Sequence, residues 1–166
     1  MTNLRTIMEE HSEQLIQLAY FYTKSYHAAE DIVQDVFITF YRSDTYEERG
    51  QLTAYLRKLT VNRAKDYLKS WAFRKLQLKD AWSSLGKRQR DHVVELEERS
   101  EIGAAILSLP IHYREIIILY YFEEMNTVEI ATLLGEAEST IRTRLRRARE
   151  KLKPLLQEQW EVLSHE

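Results

Sequence analysis

Residues 126–152 read NTVEIATLLGEAESTIRTRLRRAREKL, and this stretch decides the class of the chain. Asn126 suits a helix N-cap, because its short amide accepts a bond from a backbone N–H left over at a helix start. Glu129, three residues on, can reach back to the cap's own N–H, a variant of the capping box. A helix over residues 127–134 is therefore predicted, stopping at Gly135, a residue type that takes left-handed backbone without steric cost. Residues 136–138 form a short turn, and Ser139 or Glu138 caps a last helix that runs to about residue 156. Ile130, Leu134, Ile141 and Leu145 supply a shared core, and the small Ala131 lets the second helix pack closely. A capped helix, a tight glycine turn and a second helix make the helix-turn-helix plan.

The second helix carries the charge. Residues 141–153 hold seven bases (Arg142, Arg144, Arg146, Arg147, Arg149, Lys151, Lys153) against one acid, Glu150. Ser139, Thr140, Arg142, Thr143, Arg146, Arg147 and Arg149 are expected to face outward. Hydroxyls and a helix N-terminus suit phosphates, and arginine forks suit guanine edges in a major groove, each good bidentate contact being worth roughly 1–3 kcal/mol of discrimination. A solvated basic helix has a similar composition. Five arginines within residues 142–149, straight after a capped helix and a glycine turn, favour the DNA-facing reading. The net charge is only −2, so the field a phosphate feels comes from local clustering and not from the total.

Outward from this segment the chain stays helical. Residues 102–109 make a short helix ending at Pro110, and residues 111–124 a longer apolar one. Residues 72–100 break the pattern with Ser83-Ser84, Gly86 and the basic knot Lys87-Arg88-Gln89-Arg90, and are expected to form a linker with one short helical piece. In the first half, residues 4–22 show helical spacing. Residues 28–42 carry the apolar stripe Ala29, Ile32, Val33, Val36, Phe37, Phe40 and Tyr41. Residues 52–71 present Leu52, Leu56, Leu59 and Tyr67 inward. The tyrosine-rich stretch Tyr20, Phe21, Tyr22 and Tyr26 is expected to be core and domain surface. The expected fold is all-α: two small helical domains joined by a flexible linker, the C-terminal one with the helix-turn-helix. The boundaries fall at 1–73, 74–100 and 101–166.

Two polar faces stand out in the first half. Asp31, Gln34, Asp35 and Ile38 fall at i, i+3, i+4 and i+7, so two carboxylates, an amide and an apolar group share one stripe suited to a basic partner. Lys58, Asn62, Lys65 and Lys69 make a cationic stripe suited to phosphates along one strand. Tyr46, in the polar loop 43–50, reads equally as a solvent-exposed loop tyrosine and as a ring for base stacking. An enzyme built on the Asp31/Asp35 pair is a rival reading. Only His27 lies near in sequence, however, and no glycine-rich phosphate loop is present.

Residues 107–152 resemble the −35-reading domain of sigma factors of bacterial RNA polymerase. The resemblance is carried by Leu109-Pro110, Tyr113-Arg114, Glu129-Ile130-Ala131, Thr140-Ile141-Arg142-Thr143-Arg144 and Arg147-Ala148-Arg149-Glu150. The inter-helix turn departs from the family's frequent proline. AAEDIVQDVFITFYR and TAYLRKLTVNRAKDYLKS, within residues 15–71, resemble the family's N-terminal domain. Ala54-Tyr55-Leu56 and Arg57-Lys58 stand where relatives carry Thr-Trp-Leu and Tyr-Arg. With no room for a third domain, the resemblance is to the extracytoplasmic-function class.

That resemblance implies core-polymerase binding, on the β′ clamp helices, by Asp31, Gln34, Asp35 and Ile38. It implies −10 DNA binding by Tyr46, Lys58, Asn62, Arg63, Lys65 and Lys69. It implies −35 DNA binding by Ser139, Thr140, Arg142, Thr143, Arg146, Arg147 and Arg149, with the β flap as a further contact. The implied partners are core polymerase, promoter DNA and an anti-sigma factor. No catalysis, cofactor or metal is expected. A stand-alone helix-turn-helix regulator is the second rival.

Composition sets outer limits. Hydrophobic residues make up 44% and charged residues 30%, with four glycines and two prolines, which fits a folded helical chain. The absence of cysteine excludes disulfides and cysteine-bound zinc. The longest apolar run, 116–122, falls far short of the roughly 20 residues that span a bilayer, and residues 1–14 lack a signal-peptide pattern, so a cytoplasmic location is expected.

Overall fold

A computed structural model describes residues 3–43, 51–77 and 100–156, and the elements among them are helical. The chain divides into two compact units, Met1–Val94 and Glu95–Glu166. The expected base-stacking Tyr46, the basic knot at residues 87–90 and the helical piece expected in the linker lie outside the described residues.

The first unit packs α1 (Leu4–Thr23), α2 (Tyr26–Arg42) and α3 (Leu52–Gln77) on one another. The Asn3 side chain accepts from the Arg5 N–H, and Lys24 closes α1 in the left-handed conformation at φ 58°. Ser25 then caps α2 by accepting from the Ala28 N–H at 3.2 Å. Such caps satisfy backbone donors that the first helical turn leaves orphaned. The core is built from Ile7, Leu15 and Leu18 of α1, Ile32, Val36 and Phe37 of α2, and Leu56, Val61 and Ala64 of α3. Tyr20, Phe21 and Tyr22 are buried with them, as expected of that stretch.

Three local expectations are corrected. Tyr41 ends the apolar stripe of α2 but is 72% exposed, because the helix rotates past the core before its last turn. On α3 the buried face is Leu56, Thr60, Val61 and Ala64, whereas Leu52, Leu59 and Tyr67 are only half-buried. Thr60 enters the core because its hydroxyl donates to the Leu56 carbonyl at 2.8 Å, so no polar atom is left bare. α3 also continues to Gln77, past the expected end at residue 71, so the first residues of the expected linker are helical.

The second unit runs α4 (Glu101–Ser108), α5 (Ile111–Ile117), a π-helical turn (Ile118–Phe122), α6 (Thr127–Leu134) and α7 (Glu138–Leu156). Ser100 caps α4, accepting from the Gly103 N–H at 2.8 Å. Pro110, with φ −54°, opens α5. The single helix expected over residues 111–124 instead widens at its end, where the Glu123 N–H reaches the Ile118 carbonyl five residues back at 3.0 Å. Ile141, Leu145, Ala148, Leu152 and Leu156 form a continuous buried seam along α7. Burying each Leu or Ile of that seam contributes about 1.5–3 kcal/mol.

Candidate nucleic-acid interface and docking face

The turn between α6 and α7 is fixed at both ends by bonds legible in the residue types. The Glu129 N–H donates to Asn126 Oδ1 at 2.8 Å, and the Asn126 N–H donates to Glu129 Oε1 at 3.0 Å. At the other end Gly135 takes φ 66° and ψ 37°. The Gly135 N–H bonds the Thr132 carbonyl and the Glu136 N–H bonds the Ala131 carbonyl, at 3.4 and 3.0 Å. This is the Schellman closure, and it makes the turn without a proline. α7 starts at Glu138, one residue earlier than a Glu138 cap and two earlier than a Ser139 cap would allow. Glu138 instead accepts at Oε1 from Thr127 Oγ1 and from Arg142 Nη2, both at 3.1 Å.

The expected outward face of α7 is present with one correction. Ser139, Arg142, Arg146 and Arg147 are exposed, and Thr140 and Thr143 are half-buried. Arg149 turns away from that face. Its Nε donates to the Tyr121 hydroxyl at 2.7 Å, and its guanidinium carbon stands 5.3 and 5.6 Å from the ring centroids of Tyr120 and Tyr121. A planar cation over two electron-rich rings is the physical reason it folds inward. Nearby, Arg144 pairs with Glu136 at 2.9 Å, and Lys151 Nζ lies 5.4 Å from the centre of the Tyr113 ring. The bases on this helix thus differ in availability. Arg142 and Arg144 are held by acids and Arg149 and Lys151 by aromatic rings, while Arg146 and Arg147 point to solvent.

In the first unit, Asp31, Gln34, Asp35 and Ile38 are all exposed on α2, so the four lie on one accessible stripe. Ile38 is 48% exposed, high for an isoleucine, and Tyr41 one turn further extends the apolar end of the stripe. The sequence signal for Tyr41 on this stripe is its i+3 spacing from Ile38, masked by its place at the end of the apolar run. Asp31 Oδ2 faces His27 Nε2 at 3.7 Å. No group of three metal-ligating side chains forms among the described residues.

On α3, Lys58, Asn62, Arg63 and Lys69 are exposed and Lys65 is half-buried. Arg63 Nη2 donates to Thr39 Oγ1 at 2.8 Å, tying the stripe's flank to α2. Tyr55 packs as an aromatic against Phe40, with ring centroids 6.1 Å apart. Lower on the helix, burial pushes the Tyr67 hydroxyl up from its ordinary value of 10.0, and the Arg74 guanidinium offsets part of that rise. Among the described residues no helix is long and apolar enough to cross a membrane.

Comparison with known proteins covers both units. Residues 7–73 match the family model for sigma-70 region 2, and residues 99–152 match that for sigma-70 region 4. The ECF RNA polymerase sigma factor SigW of Bacillus subtilis is 30% identical over 164 residues, spanning 92% of this chain and 88% of that protein. The RNA polymerase sigma factor SigV of the same organism is 30% identical over 146 residues, spanning 87% and 86%. Among solved structures, the sigma factor RpoE in complex with the anti-sigma factor NepR from Bartonella quintana is similar in fold. Its TM-score is 0.67 at 22% identity, over 92% of this chain and 95% of that one. CnrH in complex with the cytosolic domain of CnrY has a TM-score of 0.64 at 23% identity, over 92% and 86%.

Proposed function

The chain belongs to the extracytoplasmic-function sigma factors of bacterial RNA polymerase, and from that premise we propose how its two units divide the work. A member of that family is a transcription initiation factor that directs core RNA polymerase to promoters. The first unit, with working bounds 1–73, docks the β′ clamp helices through Asp31, Gln34, Asp35 and Ile38, and Tyr41 widens that contact. Its Lys58, Asn62, Arg63, Lys65 and Lys69, with Tyr46, meet the −10 element. The second unit, 101–166, reads the −35 element through Ser139, Thr140, Arg142, Thr143, Arg146 and Arg147, and binds the β flap. Residues 74–100 connect them. The chain acts as an adaptor in the cytoplasm, without cofactor or metal, and catalyses nothing alone.

The observation that carries this reading is the presence in one chain of two complementary faces. One is the exposed acid-and-apolar stripe of α2, and the other is the arginine-bearing helix behind a Schellman-closed turn. A stand-alone regulator needs only the second. RpoE was solved with an anti-sigma factor and CnrH with the cytosolic domain of CnrY. By analogy, an inhibitory protein covers the α2 stripe of this chain and competes there with polymerase.

The test is retention of a duplex selected from a randomised pool by the mixture of full chain and core polymerase. Retention that depends on core polymerase is the expected result. Equally tight retention by the chain alone would favour the stand-alone regulator instead.

A further inference from the structure

Arg149 sits in a corner formed by two consecutive tyrosines. The Tyr120 and Tyr121 rings meet edge to face, with centroids 4.9 Å apart at 78°. Arg149 touches both rings and donates to the Tyr121 hydroxyl. Both tyrosines belong to the π-helical turn Ile118–Phe122, a rare backbone form that concentrates at functional sites. We propose that Arg149 is a positioning residue: locked to this turn, it sets the roll of α7 about its own axis and so aims the −35-reading face. This rests on the DNA-reading role proposed for the second unit.

The seam Ile141, Leu145, Ala148, Leu152 and Leu156 holds α7 down through apolar contacts, which are non-directional and tolerate small rotations. At about 100° per residue, Arg149 lies about 60° to one side of that seam and Lys151 about 100° to the other. Lys151 rests on Tyr113 of α5, so both flanks are held by a cation on an aromatic ring. Contacts on opposite flanks resist rotation in either direction. The Arg149–Tyr121 bond is the directional member, because a guanidinium N–H must point at its acceptor. Arg146 and Arg147, on the outward side, then keep a fixed azimuth toward the groove. A base-edge contact depends on that azimuth, whereas a diffuse phosphate attraction does not.

The experiment measures binding of the full chain with core polymerase to the selected duplex over a range of salt concentrations. Unmodified chain, Arg149→Ala, Tyr121→Phe, the double variant and Arg146→Ala are compared, with circular dichroism to confirm folding. Arg149→Ala and Tyr121→Phe should each weaken sequence-specific binding about tenfold. The double variant should be no worse than either single one, because both remove the same constraint. The salt slope should be unchanged in all three, since no phosphate contact is lost.

A fall in slope of about 0.9 on Arg149→Ala, with Tyr121→Phe unaffected, would make Arg149 a direct phosphate contact and overturn the proposal. Variants that melt earlier yet bind the duplex normally would show a merely structural role, and overturn it as well. Should Arg149→Ala fail to fold, Tyr121→Phe, which keeps the ring and loses only the acceptor, decides alone. Arg146→Ala is the control on the underlying reading. Sequence-specific binding left unchanged there would remove the DNA-reading role of α7 itself, a failure distinct from that of the lock.

Discussion

Arg146 and Arg149 stand three residues apart on one helix and have opposite surroundings. The first projects into solvent and the second folds onto two tyrosines. Side chains of the same type thus serve two ends, and only the partner decides which. Tyr67 shows the same dependence on surroundings in its titration. Its hydroxyl holds the proton above the ordinary value of 10.0, chiefly because burial disfavours the phenolate. The folded state therefore binds more protons than the unfolded state once the unfolded tyrosine begins to titrate. Its stabilising effect is complete below about pH 10 and is lost as pH rises through the folded value. Urea titrations should find that the stability difference between the unmodified chain and Tyr67→Phe shrinks through that window. A difference that stays flat to strongly alkaline pH would remove burial as the cause.

At the scale of the element, the α6 to α7 turn is the most completely determined piece. Asn126→Ala should cost about 1 kcal/mol by stripping the cap from α6. Gly135→Ala should cost about 1–2 kcal/mol. No atom lies within 4 Å of a Cβ built there, so that cost is backbone strain at φ 66° and not a clash. Denaturant unfolding followed by helix signal checks both, and a neutral Gly135→Ala would contradict the left-handed closure. This turn was legible from Asn126, Glu129 and Gly135 because caps are local chemistry, settled within a few residues. The inward face of α3 was not. Leu52, Leu59 and Tyr67 look like core by residue type, but the contacts of α1 and α2 favour Thr60, Val61 and Ala64. Small and β-branched residues lie where helices come close, and packing between elements, not periodicity, selects that side. The π-helical turn was equally hidden. Its residues ILYYF read as plain apolar helix, and the wide turn depends on where Glu123 and Met125 find their carbonyls. The setting of Arg149 was hidden with it, since its tyrosine corner is made by that turn.

At the scale of the molecule, the two units carry faces of contrasting chemistry. The α2 stripe presents Asp31, Asp35 and the apolar pair Ile38 and Tyr41, and α7 presents Arg146 and Arg147. The overall net charge of −2 hides both, which is why local patterning and not total charge revealed the class. Membership of the sigma family was legible from motifs in both halves, whereas the accessibility of each site residue needed coordinates. We propose above all that the α2 stripe brings this chain to RNA polymerase. Because Asp35 and Ile38 are exposed, replacing them should leave the core of the first unit intact. The direct measurement is co-elution of purified full chain with core RNA polymerase, comparing the unmodified protein with the double variant Asp35→Lys, Ile38→Lys. The unmodified chain should travel with core polymerase, and the double variant, still fully helical, should not. An unmodified chain that elutes apart from core polymerase, or a double variant that binds as well as its parent, would contradict the proposal.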